Sequence, residues 1–155
     1  MIDQTDIKKK LKRPAYRKPE AVKELEALAN EAARKKYPNM KPEYLAPRVY
    51  RDDNANGLTI CIVAYITLKG GFASRISNQG TYNAKLKKYI PTTAKKGLAD
   101  VMGCYMGKNL NIKVNGRDKQ SEAQIKIQNE VTKAGGLYFI AHNFTDFKVW
   151  FDSLR

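Results

Sequence analysis

The chain has 155 residues, 43% of them hydrophobic and 10% aromatic, and a formal net charge of +14. That is enough apolar material for one domain with a real core, and no stretch approaches the roughly 18 apolar residues of a membrane span. Lysines at 8, 9 and 10 are followed by no apolar segment, so no secretory signal and no membrane partner are expected, and a cytoplasmic location is.

Residues 1–18 are polar and lysine-rich and read as a flexible arm. Pro19 suits the first turn of a helix over Glu20–Lys36, where Val22, Leu25, Leu28, Ala29 and Ala32 recur at helical spacing. Pro38, Pro42 and Pro47 prevent a long helix in the next stretch. Asp52–Gly57 reads as a turn, and Leu58–Leu68, rich in Ile, Val, Thr and Tyr, as a strand broken by Gly70–Gly71. Asn78–Ile90 reads as a helix with a basic face of Lys85, Lys87 and Lys88, ended by Pro91. Leu98–Tyr105 and Leu110–Val114 then form a hairpin around Gly107 and Asn109, and Asn115–Gly116 closes its second strand. Ser121–Ala134 is a helix stopped by Gly135–Gly136, Leu137–Ala141 a buried strand, and Thr145–Leu154 a short helix. The order α–β–α–β–β–α–β–α predicts an α/β fold, a mixed sheet flanked by helices. The chain divides into a basic arm with its helix (1–56) and a main domain (57–155).

The charge is concentrated in the middle. Residues 69–119 hold eleven bases against only Asp100 and Asp118, a net +9, whereas residues 1–56 net +5. Such an excess favours a polyanion, and nucleic acid is the expected partner. Arg75, Lys85, Lys87, Lys88, Lys95, Lys96, Arg117 and Lys119 are the candidate phosphate contacts. Tyr82, Tyr89 and Tyr105 lie among these lysines, where packing at the core or edge is the expected role. Cys61 and Cys104 are expected to be buried reduced thiols. With one histidine they are too few for structural zinc. His142 reads as a loop residue.

Asn111 and Lys113 are two apart on one strand and project together, and hairpin pairing brings Asp100 beside them. An acid, an oxygen ligand and an ammonium on one face can seat a divalent cation and a water beside a phosphate. Gly97-Leu98-Ala99-Asp100, Leu110-Asn111-Ile112-Lys113-Val114 and Gly116-Arg117-Asp118-Lys119-Gln120-Ser121-Glu122-Ala123-Gln124 resemble the PD-(D/E)xK nuclease superfamily, most closely the small VRR-NUC group found alone in phages. Gly135-Gly136-Leu137-Tyr138-Phe139, with Phe144, Phe147 and Trp150 beyond it, and the upstream Phe72–Arg75 and Gln79–Tyr82 fit the same group, so the resemblance covers about residues 70–155. It implies a restriction-endonuclease-like fold and a DNA endonuclease dependent on Mg²⁺ or Mn²⁺. The setting it implies is phage recombination, repair or genome processing, and branched-DNA members of the superfamily work as homodimers. It places Asp100 and Asn111 on the two metal-binding acids, the Ile112 carbonyl as a further metal ligand and Lys113 on the water-activating lysine. Gln124 and Gln79 become further site residues. Asn111 departs from the family's Glu or Asp and lacks its charge, so metal affinity and cleavage are expected to be weakened. Either the chain is a substrate-trapping variant or it is a natural member that binds nucleic acid without cutting.

Overall fold

The computed structural model describes residues 14–115 and 119–154. Helix α1 (Glu20–Lys36) begins after Pro19 and ends in Arg34, Lys35 and Lys36. A 3-10 turn (Pro42–Tyr44) leads to α2 (Ala55–Leu68). Six strands follow, β1 (Phe72–Arg75), β2 (Thr81–Asn83), β3 (Lys88–Ile90), β4 (Val101–Tyr105), β5 (Lys108–Val114) and β6 (Leu137–Ala141). Helix α3 (Glu122–Lys133) connects β5 to β6, and α4 (Phe144–Asp152) closes the described chain. The main sheet has the order β1-β4-β5-β6, antiparallel except for the parallel β5–β6 pair, while β2 and β3 form a separate ribbon.

The mixed α/β expectation holds, and α1, α3, α4 and β6 fall close to where sequence placed them, while β4 begins at Val101, not Leu98, β5 begins at Lys108, not Leu110, and only Ala141 of β6 is fully buried. Two elements do not. Residues 58–68 are helical, not a strand. Asn54 caps that helix, its side chain accepting the Gly57 N–H at 2.8 Å, and Leu58, Cys61, Ile62, Tyr65 and Ile66 fall on one buried face at helical spacing. Thr59 and Thr67 satisfy their hydroxyls on the carbonyls of Ala55 and Val63, so the β-branched residues are accommodated within the helix. Residues 78–90 are a loop and a ribbon, not a helix. The Asn83 side chain accepts the N–H groups of Lys85 and Leu86 and folds the turn, and Thr81, Tyr82, Tyr89 and Ile90 supply strand formers on either side. Strand β1, which pairs along β4, was not expected from the sequence.

One face of the main sheet carries Val101, Leu110, Ile112 and Ala141. These share a single core with Ala21, Val22 and Leu25 of α1, the buried face of α2, and Phe144, Phe147 and Phe151 of α4. The division drawn at residues 56/57 therefore falls inside α2, and α1 belongs to the core. The stretch 14–18, expected to be a free arm, is tied down. Tyr16 donates to Asp52 at 2.8 Å and Lys18 pairs with Glu26. Asp52 in turn accepts the Phe144 N–H at 3.2 Å, the start of α4. Helices α1, α2 and α4 also meet in a polar cluster. Tyr65 donates to Asp152 at 2.6 Å, and Lys148 lies 2.9 Å from Asp152 and 3.0 Å from Glu24. The only tryptophan, Trp150, stacks on Phe139 with ring centroids 4.5 Å apart. Cys61 is buried and its thiol is pushed up to about 12 by burial first and then by the Asp52 charge, whereas Cys104 is exposed, contrary to expectation.

Candidate functional site

The opposite face of the sheet is polar where β4 and β5 meet. The register pairs Val101 with Ile112 and Met102 with Asn111, which sets Asp100 directly across from Lys113. The Asp100 N–H donates to the Ile112 carbonyl at 3.0 Å, and its own carbonyl accepts the Ile76 N–H at 2.8 Å, so β1, Asp100 and β5 are zipped together. One carboxylate oxygen lies 3.2 Å from the Lys113 ammonium and the other accepts the Val114 N–H at 2.7 Å. The pair is partly screened from solvent, the Lys113 side chain 15% and the Asp100 side chain 31% exposed. Gly97 lets the preceding loop lie against α3. It has φ +84, and a Cβ there would stand 2.5 Å from the Ala123 backbone.

Asp100 and Lys113 line a cleft of about 260 Å³ with Arg75, Ile76, Ser77, Asn78 and Gln79. Of the residues expected to form the site, the cleft thus gathers Asp100, Lys113, Gln79 and Arg75. Gln79 reaches it from a loop, not from the expected helix. Arg75 also donates to the Asn56 side chain.

Asn111 shares the face but not the cleft. It is 3% exposed, and its amide nitrogen donates to the Asn109 side chain and to the Leu137 carbonyl at 3.3 Å. It serves as a buried tie between β5 and β6. The Ile112 side chain is in the core, and its carbonyl is engaged by Asp100. Gln124 is not a cleft residue either. With Ser121 it forms the reciprocal cap of α3, its side chain accepting the Ser121 N–H at 3.1 Å.

The basic residues spread over three places. Lys85, Lys87 and Lys88 are exposed on the ribbon. Lys95 and Lys96 border a groove against α3, where Lys95 pairs with Glu130 at 3.2 Å. Lys119 is exposed before α3, and Arg117 lies outside the described residues.

Two polar groups of this region were not foreseen. The Asn78 side-chain oxygen, in a cleft residue, and the Tyr138 hydroxyl are buried with no hydrogen-bond partner among the described residues. Tyr138 is the parallel neighbour of Asn111, and its hydroxyl is pushed up by burial first and then by the Asp100 charge. Alternation along β6 puts Tyr138 on this face once the β5–β6 register is known, but nothing in the loop sequence marks Asn78. Among the described residues, no three His, Cys, Asp or Glu side chains come together as a metal site, and no helix is long and apolar enough to cross a membrane. Comparison with protein-family models, with curated proteins and with solved structures gives no match for this chain.

Proposed function

We propose that this chain is a DNA-binding protein on a restriction-endonuclease-like framework, in which the cleft between Arg75 and Lys113 takes a backbone phosphate without cutting it. The observation that carries this reading is the Asp100–Lys113 pair. The residue facing Asp100, the cleft's only carboxylate among the described residues, across the ladder is an ammonium, so the negative charge that would attract a divalent cation is already neutralised. Among the described lining residues Arg75 and Lys113 outweigh Asp100, which makes that lining cationic. A phosphodiester fits that balance, and the +9 segment around it favours the same polyanion.

Fluorescence anisotropy with a labelled DNA duplex tests the reading. Binding is expected to persist in EDTA, to weaken several-fold in Arg75→Ala and in Lys113→Ala, and to hold or strengthen in Asp100→Asn. Loss of binding in EDTA, or no change in both cation variants, defeats it.

A second reading, metal-dependent endonuclease, draws support from the unpartnered Asn78 side-chain oxygen. It belongs to the same cleft as the Asp100 carboxylate, and the two would give a hard cation an amide and a carboxylate ligand. Mg²⁺ or Mn²⁺ would then polarise a bound phosphodiester, as the resemblance to phage VRR-NUC nucleases implies, in a recombination or repair setting and in a homodimer. Cleavage of plasmid or branched DNA that requires Mn²⁺ and disappears in Asp100→Ala would favour this reading over the first.

A further inference from the structure

The β2–β3 ribbon is inserted between the two segments that line the cleft. It starts at Thr81, two residues after Gln79, and after its return strand ends at Ile90 the chain runs on to Asp100. Resting on the DNA-binding reading of that cleft, we infer that the ribbon is a platform for an unpaired DNA strand, with Tyr82 and Tyr89 stacking on bases and Lys85, Lys87 and Lys88 holding phosphates. The preferred ligand is then DNA with a single-stranded segment running from a duplex.

Tyr82 and Tyr89 are direct cross-strand partners, so their rings share one face of the ribbon, and each is 61% exposed. They do not pack as the sequence suggests, and every residue from 84 to 93 is exposed as well. An isolated two-stranded ribbon is marginal in water, and exposing paired aromatic rings on one adds a hydrophobic cost. The base of the ribbon is fixed all the same. A Cβ on Gly80 would meet the Ile90 carbonyl oxygen at 2.3 Å, so the two strands enter in close backbone contact. The Asn83 side chain fastens the turn, in which Lys87 takes φ +46.

The charge selects the occupant. Lys85 and Lys87 crown the turn, Lys88 opens the return strand, and no acid occurs between Lys69 and Asp100. A protein partner would need acids to match these lysines, whereas a nucleic-acid strand supplies both phosphates and flat π-faces. In duplex DNA the base faces are already stacked and closed to the tyrosines, so the rings favour an unpaired strand.

The test compares a single-stranded oligonucleotide, a duplex with a single-stranded tail and a blunt duplex, using the full chain. The Tyr82→Ala/Tyr89→Ala double variant is expected to lose about tenfold or more in affinity for the first two. The blunt duplex should change less than twofold, and Tyr82→Phe/Tyr89→Phe should bind like the parent. Equal losses on all three ligands, or an unchanged affinity for the single strand, overturn the inference; the latter is the result if the ribbon instead docks a protein. Arg75→Ala/Lys113→Ala, measured on the blunt duplex, reports on the cleft alone, so either idea can fail while the other stands.

Discussion

Asp100 is held by two donors, the Lys113 ammonium and the Val114 N–H, and so has a structural duty whatever else it does. Asp100→Ala leaves both without their acceptor and is expected to cost about 1–3 kcal/mol in urea unfolding. Asp100→Asn keeps an acceptor for Val114 and should cost less. The two substitutions that most sharply separate binding from metal chemistry are at 113, in the cleft, and at 111, outside it on the same face. Asn111→Asp would set a buried carboxylate against the Leu137 carbonyl and the Asn109 side-chain oxygen, losing the amide's donors. It is expected to destabilise by about 3 kcal/mol or more without yielding a metal site. Lys113→Glu puts a second carboxylate opposite Asp100 at the edge of the cleft, and is expected to bind Mn²⁺ where the parent does not. Calorimetric titration of both proteins with Mn²⁺ decides it, and no heat from Lys113→Glu would mean that the ladder pair does not define a cation position.

At the scale of elements, the capping side chains are the points of leverage. Asn54→Ala removes the acceptor at the start of α2 and is expected to lower stability by about 1 kcal/mol, read from the urea midpoint. That cap also shows why residues 58–68 were misjudged. Ile, Val and Thr favour strands in isolation, but the buried set from Leu58 to Ile66 repeats at three and four residues, and the length exceeds a usual strand. Helix α1 and the β4–β5 hairpin were legible because proline, apolar spacing and turn residues all agree there. Residues 78–90 were not, since three closely spaced lysines resemble a helix face until Asn83 is seen to bend the chain. In the site, alternation correctly put Asp100, Asn111 and Lys113 on one face. What it could not supply was the depth of each side chain. Asn111 is buried and tied to the Leu137 carbonyl of β6 while Lys113 stays at the cleft, a difference the local pattern does not carry.

For the whole molecule, the polar cluster between α1, α2 and α4 predicts how stability follows pH. For Asp152, burial works to raise its affinity for the proton, but the Tyr65 hydroxyl and Lys148 outweigh it and hold the carboxyl below its ordinary range. Lys148 is raised, by hydrogen bonds to Asp152 and then Glu24. The Asp152 contribution is therefore present above the unfolded value of about 4 and lost as pH falls through the folded one, and the Lys148 contribution is present below about 10.4 and lost at higher pH. Asp152→Asn should accordingly sit below the parent by a constant margin between about pH 5 and 9, with the gap closing in acid. Urea midpoints across that range measure it, and a gap that widens below about pH 4 would contradict the assignment. The dispersed basic charge makes a second global prediction. On the proposed DNA-binding reading, neutralising Lys85, Lys87 and Lys88 to glutamine should flatten the dependence of log affinity on log salt by up to about 0.7–0.9 per lysine. The unequal fates of the two thiols bear on all such measurements. With Cys61 sealed in the core and Cys104 open on the cleft-side face of β4, a maleimide dye will couple once, at a known place, in the native chain. The protein thus carries a built-in attachment point for testing the proposed DNA binding by energy transfer to a labelled oligonucleotide, with no cysteine to add or remove.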